Sequence, residues 1–557
     1  MMRGAAAALA IALTLVAGMP AKAGDAALGA RLYHEGIGAD GRPVTGTVQG
    51  DVEIGGAAFA CVSCHRPSGF GTSEGGSYVP PIIGPILFAP SSPDRNRMFR
   101  ELFQEVQSPS YWARVRQPRL RPAYDTASLA RAVGEGVDPA GHALDPAMPR
   151  YALAEADVAN LEAFLRGLSA EISPGVTRDG IHFATVIGPD ADPAEAEAVL
   201  STMQAYVEWM NGRIAVDTRN PAFSPNFRSD FIDAYRKWRL HVWRLEGSPE
   251  SWEAQLAARY AEQPVFALVS GLVAGPWDAV GRFCDARRVP CLFPNAELVP
   301  EAPAERGYSM FFNRGLVLEA EVAAAEIAET LPETARIVQL HASAPRGARP
   351  AAAFTRALAA RMPRVQLVSM GYDGPAALER ALAGLAADGA PDALLLWTAA
   401  PEADLAVLAR ASVTTGALYL PSAAMAAAQA TLPPGLDPAL RIVWPYEEPE
   451  GYHPRQYRIR AWMHTRRLPV THPRLQLQTY YAMTMVEFGL MHIITDFHRD
   501  YFLEIVEHEA ENELNPGTHP ELALGPGQRV ASKGAFIVAP DRSLSAGYVV
   551  LGDWIVP

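Results

Sequence analysis

Ala60-Cys61-Val62-Ser63-Cys64-His65-Arg66-Pro67 is the stretch on which the reading of the N-terminal third turns. Cys61 and Cys64 stand three positions apart with His65 directly after them, the C-x-x-C-H spacing of covalent haem attachment. Two thiols at that spacing reach the two vinyl groups on one porphyrin edge, and the adjacent histidine falls beneath the iron. Paired cysteines also serve two other chemistries. A thioredoxin-like redox pair is expected beside a βαβ pattern, whereas glycine-rich sequence surrounds this one. Structural zinc needs a second Cys/His pair at suitable spacing, and none lies nearby in the sequence. The expectation is one covalent haem c on Cys61 and Cys64 with His65 as an axial ligand.

The flanks carry helical patterns. Residues 25–35 (DAALGARLYHE) have apolar positions at helical spacing and stop at Gly36; Thr126 to Val137 form a second such run. Residues 154–168, with Leu161, Phe164, Leu165 and Leu168, give a third, amphipathic helix. Between the last two lies His142-Ala-Leu-Asp-Pro-Ala-Met148-Pro149-Arg150-Tyr151. Residues 24–170 as a whole resemble class I cytochromes c, small all-α domains with an N-terminal helix, C-x-x-C-H, a methionine-bearing loop and a closing helix. The resemblance implies Met148 as the second axial ligand, and a Met/His pair raises the potential of a haem toward electron transfer. His142 and His34 are the bis-histidine alternatives, and Met98 is a further methionine, in the helix-like RNRMFRELF. This chain departs from the small family pattern by an insertion at 36–60 and a long connection from His65 to Met148. Pro80 or Pro81 is expected to present a backbone carbonyl to the His65 ring, as partners of ligating histidines do. Arg95, Arg97, Arg100, Arg114, Arg116, Arg119 and Arg121 form a basic stretch, read either as a solvated face or as a surface for propionates or an acidic partner.

The ends of the chain and its composition bound the compartment and the partners. Arg3, the apolar run Ala5–Ala17 and Ala21-Lys22-Ala23 read as a secretory signal cleaved after residue 23, which places the protein in the periplasm. The apolar stretch 480–497 is interrupted by Glu487, His492 and Asp496 and reads as a buried helix. At 557 residues the chain exceeds one domain, and its net charge of −13 offers no footprint for nucleic acid.

Beyond a linker at 171–177 the pattern changes to alternating strands and helices. Strands are expected at 181–187, 240–245, 265–270, 289–293, 336–341, 366–370, 393–398, 417–421 and 441–445. Helices are expected at 194–210, 249–262, 276–288, 317–330, 351–361, 374–386 and 402–410. Such alternation builds an α/β domain of largely parallel sheets, with ligands beyond the carboxyl ends of the strands. Val269-Ser-Gly-Leu-Val-Ala-Gly, a helix, and Val289-Pro-Cys-Leu-Phe-Pro-Asn resemble the first-lobe units of type I periplasmic binding proteins of the branched-chain amino-acid class. The resemblance covers 178–557 as two lobes, with the chain crossing near 311–317 and again later; its nearest association is the group linked to PQQ-dependent alcohol dehydrogenases. Ser270, Gly271, Pro294 and Asn295 match only the loop positions, and the later segments His341-Ala-Ser-Ala-Pro-Arg and Leu396-Trp397-Thr398-Ala399 bring no acid for a ligand amine, so an amino-acid ligand is not expected. Trp277 and Trp397, with Phe293, Trp444 and Tyr446, are aromatic candidates for the cleft. Cys284 and Cys291 are expected to form a local disulfide in an oxidising compartment.

Three functions follow from these parts. The first is a periplasmic haem c electron carrier with a solute-binding-like domain and a dehydrogenase or cytochrome as redox partner. The second is the substrate-binding component of an ABC-type uptake system with an ABC permease as partner and the haem as an accessory. The third is a haem-dependent oxidoreductase, which requires an open iron position. No nucleophile–base pair or nucleotide loop supports other catalysis; His508-Glu509 begins the zinc-hydrolase motif, but Asn512 stands at the second histidine position.

Overall fold

The computed structural model describes residues 24–74, 77–91, 120–219, 236–300, 307–411, 413–449, 454–510 and 515–557. Residues 1–23, expected to be a signal segment, Met98, Asn512 and the arginine stretch apart from Arg121 lie outside the described residues. Two units divide the chain, Met1–Glu171 and Ile172–Pro557.

The first unit contains α1 (Ala26–Glu35), α2 (Val62–His65), α3 (Gly84–Leu87), α4 (Thr126–Glu135) and α5 (Glu155–Gly167). Asp25 caps α1 by accepting from the N–H groups of Ala27 and Leu28, and Asp125 caps α4 in a reciprocal box with Ser128. Both helices end on a left-handed glycine, Gly36 (φ 66°) and Gly136 (φ 72°). The turns that follow are the same turn built twice. Gly38 N–H donates to Arg42 O at 2.8 Å and Asp138 N–H to His142 O at 2.9 Å; Val44 N–H reaches Gly36 O and Leu144 N–H reaches Gly136 O, both at 2.8 Å. Arg31 and Arg131 donate to the equivalent carbonyls of Gly38 and Asp138. A helix–loop module therefore occurs twice, every member displaced by one hundred positions.

α5 closes the unit against α1. A Cβ on Gly29 would lie 2.0 Å from the Asn160 carbonyl oxygen, so the helices cross at backbone contact. Leu32, Tyr33, Val62, Leu129, Val133, Val158, Leu161 and Leu165 form the core beneath them. The unit is not all-α as expected. Part of the insertion at 36–60 forms β1 (Thr45–Val48) and β2 (Val52–Gly55), and β1 also pairs antiparallel with β5 (Arg150–Tyr151). A second ribbon joins β3 (Thr72–Glu74) to β4 (Ser77–Val79).

The second unit is two α/β lobes. The first sheet runs β11 (Asn295–Leu298), β9 (Leu272–Pro276), β6 (Gly180–Ile187), β8 (Ala267–Val269), β10 (Cys291–Leu292), β12 (Ser309–Met310), with β7 (Lys237–Arg244) also on β6, all parallel. The second runs β14 (Gln366–Tyr372), β13 (Arg336–Ala342), β15 (Ala393–Trp397), β16 (Ala417–Pro421), β17 (Leu440–Trp444), β18 (Ala535–Pro540), β19 (Tyr548–Ile555); the first five are parallel and the last two antiparallel. Helices on both faces bury the central strands, which read as near-continuous apolar runs for that reason. In the second lobe the buried Gln339 side chain satisfies itself on Ala351 O, Thr355 and Ser369. All nine expected strands and seven expected helices of this domain are present, most within a few residues, but Pro193–Arg219 runs nine residues past its expected end and Pro345–Arg361 begins six before its expected start.

Three segments join the lobes. Phe311–Gly315 leads into the helix Leu316–Thr330; the chain returns after Trp444 to the helices Pro454–Thr465, Pro473–Ile493 and Arg499–Ala510; and residues 515–534 lead to β18. The crossings are laced together, with Phe311 N–H on Arg529 O, Ser532 N–H on Phe312 O and Glu447 N–H on Thr518 O. Of the stretch 480–497 expected as a buried helix, residues 480–493 lie in Pro473–Ile493 and 494–497 beyond it; Glu487 accepts from Tyr206 and Arg213. Among the described residues, no helix is long and apolar enough to cross a membrane.

Candidate functional site

Cys61, Cys64 and His65 share one helical turn, with His65 N–H on Cys61 O at 2.9 Å. Arg66 then turns the chain with φ 64°, its carbonyl accepting from the Tyr33 hydroxyl at 2.6 Å. His65 is buried, and its Nδ1 lies 3.2 Å from the Pro80 carbonyl. Of the two candidate prolines it is Pro80 that faces the ring. With the proton held on Nδ1, Nε2 carries the lone pair that a metal takes. Burial holds the ring neutral, its pKa lowered to about 4 despite that carbonyl. Burial also pushes the Cys61 thiol up to about 12, the opposite of the lowered values of thiol–disulfide catalysts. Among the described residues, no group of three His, Cys, Asp or Glu side chains is arranged to hold a metal ion. The donor set fits a covalent haem, which asks for two thiols and one neutral imidazole, and does not supply the four ligands of structural zinc.

Met148 is half-buried and packs into the same apolar cluster as Cys61 and Val62. The two histidine alternatives make contacts of their own, and the Asp138 contact leaves His142 Nε2 available just as Pro80 leaves that of His65. His142 Nδ1 lies 3.0 Å from Asp138 Oδ2, and the His34 ring sits edge-on against Tyr33 and Phe164 where α1 meets α5. Arg121 is no propionate partner in this arrangement: its guanidinium donates to the carbonyls of Ile86, Leu87, Ala89 and Pro122.

In the second unit the candidate cleft lies where the first lobe's strand ends face the second lobe. Ser270 (φ 52°), Gly271 (φ 114°) and Phe293 (φ 50°) all stand in left-handed backbone just beyond β8 and β10, a concentration of strain of the sort found at ligand clamps. At Gly271 no side chain fits, because a Cβ would lie 2.9 Å from Val186 O and 3.1 Å from the Trp277 ring. Ser270 Oγ lies 3.2 Å from Thr479 Oγ1, and Asn295 Nδ2 donates to Ser270 Oγ at 3.0 Å and Gly271 O at 3.3 Å. Asn295 Oδ1 is buried without a hydrogen-bond partner. Of the expected loop residues, Ser270, Gly271 and Asn295 come together, Pro294 lies between Phe293 and Asn295, and Thr479, from a distant helix, joins them.

Of the aromatic candidates, Trp277 is fully buried in the first lobe's core, and Trp397 is buried in the second lobe's core with Nε1 on Gln339 Oε1 at 3.1 Å. Cys284 and Cys291, the expected disulfide pair, lie side by side as buried thiols, Cys284 held protonated by burial and by its neighbour Cys291. Such thiols pack as small hydrophobes.

Charged groups missed by the sequence reading bridge the lobes. Arg346 and Arg349, from the first turns of the second-lobe helix Pro345–Arg361, reach Glu297 at 2.7 Å and Asp278 at 2.8 Å on the first lobe. At the crossings, Glu319 accepts from Ser422 N–H and Oγ–H, both at 2.7 Å, and burial raises its pKa to about 8. Arg474 donates to the Tyr446 hydroxyl, and His519 stacks on Phe312 and lies tilted against Tyr446.

No protein-family model and no curated protein matches the chain. Solved structures do. A fatty acid ABC transporter substrate-binding protein from Thermomonospora curvata aligns over 70% of this chain and 95% of its own, at 13% identity and TM-score 0.50. A branched-chain amino acid ABC transporter from Thermus thermophilus with bound valine aligns over 68% and 97%, at 10% identity and TM-score 0.52. At such identities the likeness is one of fold: the chain contains the two-lobed α/β architecture of periplasmic binding proteins.

Proposed function

We propose that this chain is an exported solute-binding protein that carries a covalent haem c in its N-terminal unit. The second unit would hold a small molecule between its lobes and present it to an ABC-type permease. The observation that carries this reading is the pair of strained polar loops, Ser270–Gly271 and Phe293–Asn295, at the carboxyl ends of parallel strands, opposite a second lobe joined by three laced crossings. Ligands of open α/β sheets bind at that place, and the unpartnered Asn295 oxygen is a hydrogen-bond acceptor waiting for a donor. Glu297 and Arg346 at the cleft edge supply both signs of charge, so the site is built for a polar solute.

The haem reading stands on Cys61-Val-Ser-Cys64-His65 and on the Pro80 carbonyl at His65 Nδ1. A bound haem would supply one-electron Fe(III)/Fe(II) chemistry. Cys61 and Cys64 would hold it, His65 would offer Nε2 and Met148 its thioether. Pro80 fixes the ring's tautomer, and the packing of Leu32, Leu129 and Leu161 keeps water from the unit's interior. This favours electron transfer to a periplasmic dehydrogenase or cytochrome as a second activity. With Met148 as ligand no open iron position remains for an oxidoreductase.

The test is protein exported with cytochrome c maturation. Alkaline pyridine spectra should report one thioether-linked haem, lost in Cys61→Ala/Cys64→Ala. Calorimetric titration with carboxylate, amine and polyol solutes should give at least one binding isotherm that Asn295→Ala abolishes. Absence of thioether haem sinks the first part. Binding unaffected by Asn295→Ala sinks the second.

A further inference from the structure

The insertion at 36–60 and the segment after Met148 meet in a way that the haem-attachment motif alone does not require. β1 pairs with β5 through Gly46 opposite Tyr151 and Thr47 opposite Arg150. Gln49 N–H donates to Pro146 O at 3.2 Å, and Ala152 N–H to Thr45 O at 2.9 Å, so the ribbon grips the loop on both sides of Met148. The Tyr151 hydroxyl donates to Phe59 O, two residues before Cys61, and ties the same loop to the start of the attachment turn. Inside the loop the Arg150 guanidinium donates to three carbonyls, those of Leu144, Asp145 and Met148 itself. Gly136 is required twice over here. Its φ of 72° suits glycine, and a Cβ would lie 2.0 Å from Arg150 Nε.

We propose that Arg150 is a positioning residue which, with the β1–β5 ribbon and Tyr151, clamps the Met148 loop against the attachment turn. The proposal rests on the haem reading above, with Met148 as ligand. A methionine thioether is a weak ligand carried here on an irregular loop. Its hold on the iron depends on how little the loop gains by swinging away. The three Arg150 bonds hold the loop in one shape, and the Tyr151 and Gln49 bonds tie it to Phe59 and β1, so the loop swings away only by breaking those ties or losing its shape. The insertion is then a clasp that sets how readily an outside ligand displaces Met148.

The experiment uses the full chain with its covalent haem. Two readouts are taken: the near-infrared methionine-to-Fe(III) charge-transfer band, and the imidazole concentration that displaces it. In the parent the band is present, and Met148→Ala removes it. Arg150→Ala should keep covalent haem and the band in buffer while imidazole displaces the methionine at roughly tenfold lower concentration. Tyr151→Phe, which deletes one hydroxyl and keeps the ring, should lower that concentration by roughly threefold. Arg150→Lys should recover part of the loss, since an ammonium can reach fewer of the three carbonyls than the planar fork. If Arg150→Ala does not fold, Tyr151→Phe and Arg150→Lys decide the matter. Displacement within about twofold of the parent in every folded variant overturns the clamp and leaves the haem reading intact. A parent without covalent haem, or with a band indifferent to Met148→Ala, overturns both.

Discussion

Replacing both Arg346 and Arg349 with alanine should open the lobes of the second unit. Arg346–Glu297 and Arg349–Asp278 join the lobes at 2.7 and 2.8 Å, with side chains 25% and 36% exposed in the first pair and 24% and 32% in the second. Two unit charges about 4 Å apart attract by about 4 kcal/mol at the effective dielectric of ~20 suited to a protein surface. Desolvation and side-chain ordering cancel most of that and leave roughly 0.5–1 kcal/mol per pair. The second pair belongs at the lower end, since Asp278 Oδ2 and Arg349 Nη1 lack aligned hydrogen bonds. Together the pairs favour the joined arrangement by about 1–2 kcal/mol, a factor of roughly 5–30 in the closed-to-open ratio. Electron–electron distance measurements between spin labels at the exposed positions Glu262 on the first lobe and Arg380 on the second read that ratio directly. The double variant should show a longer-distance population that the parent lacks, and salt should produce part of the same opening in the parent, because partly exposed pairs are screened. An unchanged distance distribution at low salt would refute the reasoning, since the lobes would then be held by the crossings alone.

Three further outcomes are expected. Glu319 is buried, with its pKa raised from the usual carboxylate value to about 8; the folded state therefore holds a proton that the unfolded chain releases, and stability should fall as pH rises from about 4.5 through about 8. Melting across that window should show the fall in the parent and a flatter profile in Glu319→Gln; equal slopes would discard the assignment. Alkylation of unfolded, unreduced protein should modify Cys284 and Cys291, which the structure leaves as free thiols, whereas a mass lower by two hydrogens with no modification at either would restore the disulfide. In Gly29→Ala the added Cβ meets Asn160 O at 2.0 Å. Overpacking of about 1–3 kcal/mol outweighs the roughly 1 kcal/mol gained in helix propensity, so melting of the first unit should drop by a few degrees; a rise would show that the crossing relaxes freely.

The parts of this molecule that were legible are those where local pattern and tertiary role agree. Central strands such as Arg336–Ala342 and Ala393–Trp397 are buried on both faces, so their apolar runs announce them. β9 and β11 are only partly buried, with β11 at the edge of its sheet; Leu272-Val-Ala-Gly-Pro276 and Asn295-Ala-Glu-Leu298 contain loop-forming residues and are made strands by their neighbours. Hydrophobicity could not sort Trp277 and Trp397 into cleft or core, since both settings favour an aromatic ring. Nor could it find the Glu297–Arg346 pair, whose members meet only because the lobes do.

The repeated module had a signal that local pattern reading passes over: Asp25 and Asp125, Gly36 and Gly136, Gly41 and Gly141 keep one displacement throughout. Each residue alone marks only a cap or a turn, and the shared displacement is what joins them into one motif. Once that is seen, the insertion at 36–60 ceases to be an appendage. The first module runs on through Val44 into β1, as the second runs on through Leu144 into the Met148 loop and β5, and the two continuations pair with each other. A repeated helix–loop unit whose halves clasp at their exits explains why the connection from His65 to Met148 can be so long without leaving Met148 unsupported: the second half carries Met148, the ligand in the proposed haem reading, and the first half holds its loop in place.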